Sequence, residues 1–234
     1  MSAMTINLNG EELVPLPAGA LYWPERQALI VADLHFEKGS SFGARGVMLP
    51  PYDTRTTLRR LAAIAREMKP ALIISLGDAF HDRGSEVRMD VDDAALLDDL
   101  ISVHDWLWIL GNHDPDPPKR FGGVVEKQTR VGGLFLTHEP EVAPEAGELA
   151  GHLHPCARVQ TGNKTLRRRC FVTDGARMVL PAFGAYTGGL NILDEAFAPL
   201  FADMTAWVMG RDDVYPIARS NLAPDAPALR RRAG

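Results

Sequence analysis

The sequence has 234 residues, of which 46% are hydrophobic and 24% charged, and its formal net charge is −5. A chain of this size can bury one sizeable core, so we predict a single domain over residues 1–218, followed by a mobile tail over 219–234 that lacks apolar periodicity. The acidic balance excludes a protein that wraps nucleic acid through bulk electrostatics, but it leaves room for a local basic groove.

Cysteine content and hydropathy bear on the compartment. The two cysteines, Cys156 and Cys170, form neither a disulfide framework nor a CxxC motif for zinc or thiol chemistry. The N-terminal segment lacks the basic and apolar regions of a signal peptide, and no apolar run reaches the roughly 18 residues that span a bilayer. We therefore expect a cytoplasmic protein with no membrane association.

The N-terminal half alternates short apolar runs with helical patterns. Asn9-Gly10 predicts a tight hairpin turn, and the apolar run 28–31 predicts the first core strand. Asp53 is predicted as the N-cap of an amphipathic helix with Leu58 on its apolar face, and a second helix is predicted over about 91–101. Further strands are predicted at 71–76, 106–110 and 134–136. This alternation indicates an α/β fold, in which ligands bind beyond the carboxyl ends of the strands.

The second half is richer in strand patterns. Strands are predicted at 157–160, 169–173, 178–180 and 206–209. Their number and short spacing indicate a second, mostly antiparallel sheet.

Polar motifs follow the predicted strands of the α/β region. They are Asp33-x-His35, Asp78 within GDAFH, Asn112 within GNHD, His138, and His152-x-His154. Of the seven histidines, only His104 lies outside these motifs or their immediate neighbours. Taken singly, most of the motifs have an ordinary explanation as a capped strand end or a turn. Taken together in chain order, they favour a metal site.

The residue types indicate which cations such a site would hold. Carboxylate, imidazole and amide oxygen without thiolate suit Mn²⁺, Fe²⁺ or Zn²⁺. Two cations about 3.5–4 Å apart need a shared carboxylate, and together they activate water while binding phosphate oxygens. Asp78 is the candidate for the shared ligand. We expect two divalent metal ions, with Mn²⁺ preferred over Fe²⁺ and Zn²⁺.

The order of these motifs resembles that of the calcineurin-like metallophosphoesterase superfamily. The resemblance implies a four-layer α/β/β/α sandwich of two mixed β-sheets. It implies one metal held by Asp33, His35, Asp78 and His154, and a second held by Asp78, Asn112, His138 and His152. It also implies that His113 contacts the scissile phosphate and protonates the leaving oxygen, while Asp114 fixes the tautomer of His113.

Other runs resemble a narrower group. His81 completes a GD-x-F-H pattern that is found in the nuclease of the double-strand-break repair complex, which indicates a phosphodiester substrate and a catalytic role for His81. The runs 31–39, 49–54 and 180–191 resemble the bacterial ligase-associated DNA damage response endonucleases, the PdeM-like subfamily. That resemblance implies DNA as the substrate and a role beside an ATP-dependent DNA ligase, a helicase and an exonuclease.

Candidate substrate contacts are less specific than the metal motifs. The basic residues that could meet phosphates are Lys38, Arg45, Arg55 and the run 167–169, although that run is better explained as a solvated strand edge. Gly188 and Gly189 would let a loop approach a ligand backbone closely. The leading hypothesis is a metal-dependent DNA endonuclease or phosphodiesterase in DNA repair. The alternatives are a phosphodiesterase or phosphatase for a small nucleotide-type substrate, and an inactive metal-binding scaffold that docks repair proteins.

Overall fold

The chain builds two mixed β-sheets, one from each half of the sequence. The structure is a computed structural model, and it describes residues 4–50, 52–116, 118–162 and 164–225. Within these ranges the strands of the first sheet are β1 Ile6–Leu8, β2 Glu11–Pro15, β3 Leu21–Trp23, β4 Ala28–Val31, β5 Leu72–Leu76, β6 Asp105–Ile109 and β7 Val124–Glu126. They lie side by side in chain order, antiparallel from β1 to β4 and parallel from β4 to β7.

The α-helices of the described residues all precede β6. They are α1 Lys38–Ala44, α2 Asp53–Met68, α3 Ser85–Arg88 and α4 Val91–Val103. Leu29 and Val31 of β4 share a buried cluster with Leu61 of α2. Ile30 lies in a different buried cluster, with side chains of the second sheet, because successive strand side chains point to opposite faces. Burial on both faces explains why β4 reads as an unbroken apolar run.

The second sheet follows from residue 129 onward. Its strands in the described ranges are β8 Thr129–Val131, β9 Leu134–Leu136, β10 Glu148–Ala150, β11 Pro155–Thr161, β12 Lys164–Thr173, β13 Arg177–Val179, β14 Leu190–Asn191, β15 Thr205–Met209 and β16 Val214–Ala218. Most of its strand pairs are antiparallel, as predicted, and the parallel ones are β9–β10, β10–β13 and β11–β14. Turns carrying Phe197 and Phe201 pack on a third buried cluster of this sheet. The predicted α/β fold with two mixed sheets is confirmed, and this outermost layer consists of turns.

The predicted elements match the observed ones closely, with one local error. Asn9 and Gly10 adopt φ values of 51° and 86°, which confirms the hairpin turn. The N-cap of α2 is Tyr52, so the predicted capping role of Asp53 is wrong. Asp53 lies in the first turn, and its buried carboxylate accepts a hydrogen bond from Gly39 N–H at 2.9 Å. Asp53 therefore links α2 to α1 instead of capping its own helix.

The predicted tail begins with residues that contact the second sheet. Within residues 219–225, Ala223 N–H donates a hydrogen bond to the Arg158 carbonyl at 2.8 Å. Residues 226–234 lie outside the described residues. The division into a domain and a mobile tail stays a prediction.

Candidate metal centre

The predicted metal ligands converge at the carboxyl ends of strands from both sheets. They are Asp33, His35, Asp78, Asn112, His138, His152 and His154. The first four follow β4, β5 and β6 of the first sheet, and the last three follow β9 and β10 of the second sheet. Parallel strands deliver their carboxyl ends to one edge, so residues far apart in sequence meet there.

One group of ligands is formed by Asp33, His35 and His154. Their ligand atoms lie within 4.8 Å of one another. His154 Nε2 is 3.3 Å from Asp33 Oδ1 and 3.4 Å from His35 Nε2. The structure thus brings together three of the four residues that the resemblance assigns to the first metal.

A second group is formed by Asp78, His138 and His152, whose ligand atoms also lie within 4.8 Å of one another. The Asn112 side-chain oxygen joins them, 2.9 Å from His138 Nε2 and 3.0 Å from His152 Nδ1. These are the four residues assigned to the second metal.

Asp78 faces both groups. Its Oδ1 lies 3.4 Å from His138 Nε2, and its Oδ2 lies 3.9 Å from His35 Nε2. One carboxylate thus contacts ligands of both predicted cations, which is the arrangement that a bridging ligand needs. The donor set fits two divalent cations, because carboxylate, imidazole and amide oxygen converge and no thiolate is among them.

Burial and charge set the protonation of the ligands. Burial lowers the pKa of His35 to about 2, against the opposing effect of Asp78. Burial also acts to lower the pKa of His138, but its hydrogen bond to Asp78 and the charge of Asp33 raise it to about 9. For Asp78, burial acts to raise the pKa, yet the hydrogen bond with His138 and the charge of His138 lower it well below its usual range. An ionised Asp78 is ready to bind a cation, whereas His138 must release its proton on binding one.

Several ligands have a backbone conformation that non-glycine residues seldom adopt. Positive φ values occur at Asp33 (52°), His35 (46°), Asp78 (48°), His152 (69°) and His154 (47°). Only a few per cent of non-glycine residues lie in this region. Such strain persists where the surrounding structure enforces it, and it concentrates at functional sites. The unusual backbone conformations therefore occur at the same strand ends that carry the candidate metal ligands.

Glycines next to the ligands let the chain pass closely behind them. A Cβ atom at Gly111 would lie 2.2 Å from Asp78 Oδ1, and one at Gly77 would lie 2.3 Å from His138 Nδ1. Both distances are far below van der Waals contact. The glycines of GDAFH and GNHD are thus required by the packing of the ligands.

His113 lies at the open side of the centre. Its ring Nδ1 is 2.8 Å from the backbone carbonyl of His81, and its Nε2 is 4.0 Å from Asp78 Oδ2. A carbonyl accepts only, so Nδ1 carries a proton and donates it to this bond. The His81 carbonyl therefore fixes the tautomer of His113.

The predicted contact between Asp114 and the His113 ring is wrong. The carboxylate of Asp114 instead accepts hydrogen bonds from backbone N–H groups, those of Asp78, Gly111 and Phe80, each at 3.0 Å. Burial raises the pKa of Asp114 to about 6, opposed by the bond from Phe80. Asp114 thus ties the loop after β5 to the loop after β6.

His81 belongs to the same cluster, as its motif predicted. Its ring stacks on that of His113, with centroids 4.9 Å apart and planes inclined by 23°. Burial, followed by the charge of His113, lowers the pKa of His81 to about 4. Its catalytic role stays a prediction.

A cleft of about 780 Å³ opens over the His35 and His113 side of the centre. Arg45 lines it, as predicted for a substrate contact, and Lys38 does so as well. Phe42 and Arg83 also line the cleft, and neither was predicted from the sequence. No motif marks Phe42, while Arg83 could have been found from its place two residues after His81.

Arg55 is not placed for substrate, and that prediction is wrong. Its guanidinium pairs with Asp90 at 3.2 Å and with Asp93, both near the start of α4. It lies outside the lining of the cleft described above.

The glycine-rich loop within residues 180–191 makes contacts inside the protein. A Cβ at Gly189 would lie 2.4 Å from the His154 carbonyl and 2.4 Å from Cys156 Sγ, so this glycine lets the loop pass close to the backbone of a predicted metal ligand. Gly188 is exposed and lies outside the cleft lining. Arg167 donates to the Gly189 carbonyl at 2.6 Å, and Arg169 donates to carbonyls of the same loop. These arginines hold the loop in place.

Within the described residues, no helix is both long and apolar enough to cross a membrane.

Three kinds of comparison with known proteins give matches. The family model described as calcineurin-like phosphoesterase matches residues 27–169. The crystal structure of Pseudomonas putida nuclease MPE superimposes with a TM-score of 0.68 at 31% identity, covering 92% of this chain and 99% of that one. The E. coli phosphoesterase YfcE gives a TM-score of 0.41 at 14% identity, with 82% and 98% covered. The probable inactive purple acid phosphatase 29 of Arabidopsis thaliana is 27% identical over 171 residues, which are 69% of this chain but only 43% of that protein.

Proposed function

Because the chain belongs to the calcineurin-like phosphoesterase family, we propose that it hydrolyses phosphodiester bonds with two divalent cations and that its substrate is nucleic acid. The observation that carries the proposal is the pair of ligand groups that share Asp78 beneath His113. A solved neighbour that matches over nearly the whole chain is named a nuclease, which supports nucleic acid as the substrate class.

The cations would supply the chemistry that the protein side chains lack. When bound, they lower the pKa of a water molecule and neutralise charge on the phosphate oxygens. Asp33, His35 and His154 would hold one cation, Asn112, His138 and His152 the other, and Asp78 both. We propose Mn²⁺ at both positions, since this oxygen and nitrogen donor set without sulfur suits it.

His113 would donate the proton that the leaving oxygen needs. Its Nδ1–H is committed to the His81 carbonyl, so the transferable proton is the one on Nε2, which faces Asp78. The stacked His81 ring keeps the plane of His113 fixed. A general acid that is held in position in this way contributes typically 10²–10⁴-fold to the rate.

The net charge of the chain is negative, but the cleft is lined by several basic side chains, which suits an anionic polymer. Lys38 and Arg45 line it, as does Arg83, which pairs with Asp116 at 3.0 Å. The carboxylate of Asp82 in the same lining is paired with Arg88 at 2.8 Å. We propose DNA as the polymer and DNA repair as the setting, with the ATP-dependent ligase, helicase and exonuclease of the resembling group as functional partners. Cytoplasmic location is part of the same proposal.

The mechanism is tested with Asp78→Asn and His113→Ala on bis(p-nitrophenyl) phosphate with Mn²⁺. Both variants should lose hydrolysis, Asp78→Asn together with bound metal and His113→Ala at wild-type metal content. Full activity of His113→Ala at equal metal content would refute the general-acid assignment.

The substrate class needs a separate experiment. Single-stranded, nicked and circular DNA should be compared with cyclic nucleotides and nucleotide conjugates at matched Mn²⁺ and salt. Cleavage of the small substrates alone would overturn the nuclease proposal and leave the phosphodiesterase chemistry standing. Absence of any hydrolysis by the wild-type chain would favour the inactive scaffold.

A further inference from the structure

One face of α1 lines the cleft beside the metal centre. Lys38 and Phe42 are four residues apart in α1, a spacing that places side chains on one face of a helix, and Arg45 is the C-cap of the same helix. All three line the cleft that contains His113. The face therefore presents a cation, an aromatic ring and a second cation in succession.

The Phe42 ring ends a column of nearly parallel rings. It lies 6.1 Å from the His81 ring with planes inclined by 26°, and His81 in turn stacks on His113. Phe42 is half-buried, so part of its ring is open to the cleft. An apolar surface is thus exposed in the cleft with the His81 ring between it and His113, the histidine proposed to protonate the leaving oxygen.

The cations that flank this ring are available for an anion. The nearest acidic lining residue, Asp82, already pairs with Arg88 through both carboxylate oxygens. Among the described residues, Lys38 and Arg45 form no ion pair within 4.0 Å. Lys38 is the first residue of α1 and Arg45 is its C-cap, so the two cations lie at opposite ends of the helix that carries Phe42.

We propose that this face binds the nucleotide next to the scissile phosphate, with its base stacked on Phe42 and backbone phosphates against Lys38 and Arg45. The inference rests on the proposed function and adds to it a requirement for a base beside the cleaved bond. Stacking of a base on an aromatic side chain tolerates any base and contributes about 5- to 150-fold in binding. The enzyme should therefore distinguish nucleotides from other phosphodiesters without reading their sequence.

The test uses the full chain with Mn²⁺ and small esters that all release p-nitrophenol. The p-nitrophenyl esters of thymidine 5′-phosphate and 3′-phosphate are compared with analogues in which hydrogen replaces the base. Wild type should prefer one of the thymidine esters by about 10-fold or more in kcat/KM. Phe42→Ala should bring that ratio close to one, and Phe42→Trp should preserve it.

Controls separate stacking from a structural role. Tyr52→Ala removes an exposed aromatic ring outside the cleft and should leave the ratio unchanged. If Phe42→Ala does not fold, Phe42→Leu keeps the apolar volume without the flat ring and should also lose the preference. For the phosphate contacts, Arg45→Gln should reduce the salt dependence of oligonucleotide binding by about one unit of slope, whereas Arg66→Gln, on the exposed side of α2, should not.

The outcomes distinguish this inference from the proposed function. Equal hydrolysis of the thymidine and base-free esters by the wild type, or an unchanged ratio in Phe42→Ala, would overturn the stacking site while leaving a working phosphodiesterase. An equal loss on all esters in Phe42→Ala and Phe42→Leu would show that the ring only supports His81, and it would overturn the inference as well. No hydrolysis of any ester or oligonucleotide by the wild type would refute the proposed function itself.

Discussion

Replacing Gly111 by alanine should disable the metal centre without unfolding the protein. The added Cβ would lie 2.2 Å from Asp78 Oδ1, 2.3 Å from Asp78 N and 2.8 Å from Asp114 Oδ1. Ordinary van der Waals contact begins near 3.4 Å, so the Asp78 carboxylate and the Gly111 backbone must separate by about 1 Å. A displacement of this size at a catalytic group costs about 10²-fold in rate.

The displaced atom belongs to the carboxylate that faces both predicted metal positions and His113. Asp78 Oδ1 accepts the His113 backbone N–H at 2.9 Å and faces His138. Gly111→Ala should therefore lower kcat/KM on bis(p-nitrophenyl) phosphate by about 10²-fold, and it should lower bound Mn²⁺ per chain. Both are measured on the same preparation, with metal content determined by mass spectrometry.

Gly122→Ala is the matched control. A Cβ at Gly122 would meet only Ile101 Cγ2 at 3.6 Å, which is ordinary contact, and neither glycine has the positive φ that would strain an alanine. This variant should keep wild-type activity and metal content. If Gly111→Ala were as active as Gly122→Ala at equal metal content, close packing behind Asp78 would not be what positions it.

Three further predictions concern the rest of the molecule. Glu148 and Arg177 form a buried pair at 3.5 Å, so Glu148→Gln should lower the free energy of urea unfolding by about 3–5 kcal/mol. Adding Arg177→Met should recover part of that loss. An unchanged free energy of unfolding in Glu148→Gln would refute the coupling. Arg55→Gln should lower the melting temperature but not kcat/KM, because the side chain pairs with Asp93 outside the cleft; a fall in kcat/KM would contradict its structural role. Removing divalent cations with EDTA should abolish hydrolysis and lower the melting temperature. Added Mn²⁺ should restore both, with about two equivalents bound per chain. Binding of a single equivalent would argue against the second ligand group.

The convergence of the candidate ligands could be predicted from the sequence because each of them lies shortly after a strand. A buried apolar run that stops at Asp33 or Asp78 defines the end of a strand, and parallel strands bring such ends to a common edge. The residue types then restrict the chemistry to metals that bind oxygen and nitrogen. Both steps use local information, which a single sequence contains.

Contacts between distant segments were not predictable in the same way. Arg55 was predicted to contact phosphate, but its guanidinium pairs with Asp93, which lies 38 residues later. Phe42 belongs to no motif. It lies on α1 together with Lys38, and its ring packs near that of His81, which follows 39 residues later. Such contacts depend on how α1, α2 and α4 pack, and apolar periodicity specifies only which face of a helix is buried.

The error at Asp114 changes how the centre is understood. Asp114 follows His113 in sequence and was predicted to orient the His113 ring. The two carboxylate oxygens of Asp114 instead accept hydrogen bonds from backbone N–H groups of the loops after β5 and β6. The backbone N–H of His113 donates to Asp78, while its ring bonds to the carbonyl of His81. The residue that joins the two predicted cations and the residue that would protonate the leaving oxygen are therefore held by one hydrogen-bonded network. A shift in either loop must move both, so we expect the proposed metal binding and proton donation to be coupled through the backbone rather than through a side-chain relay.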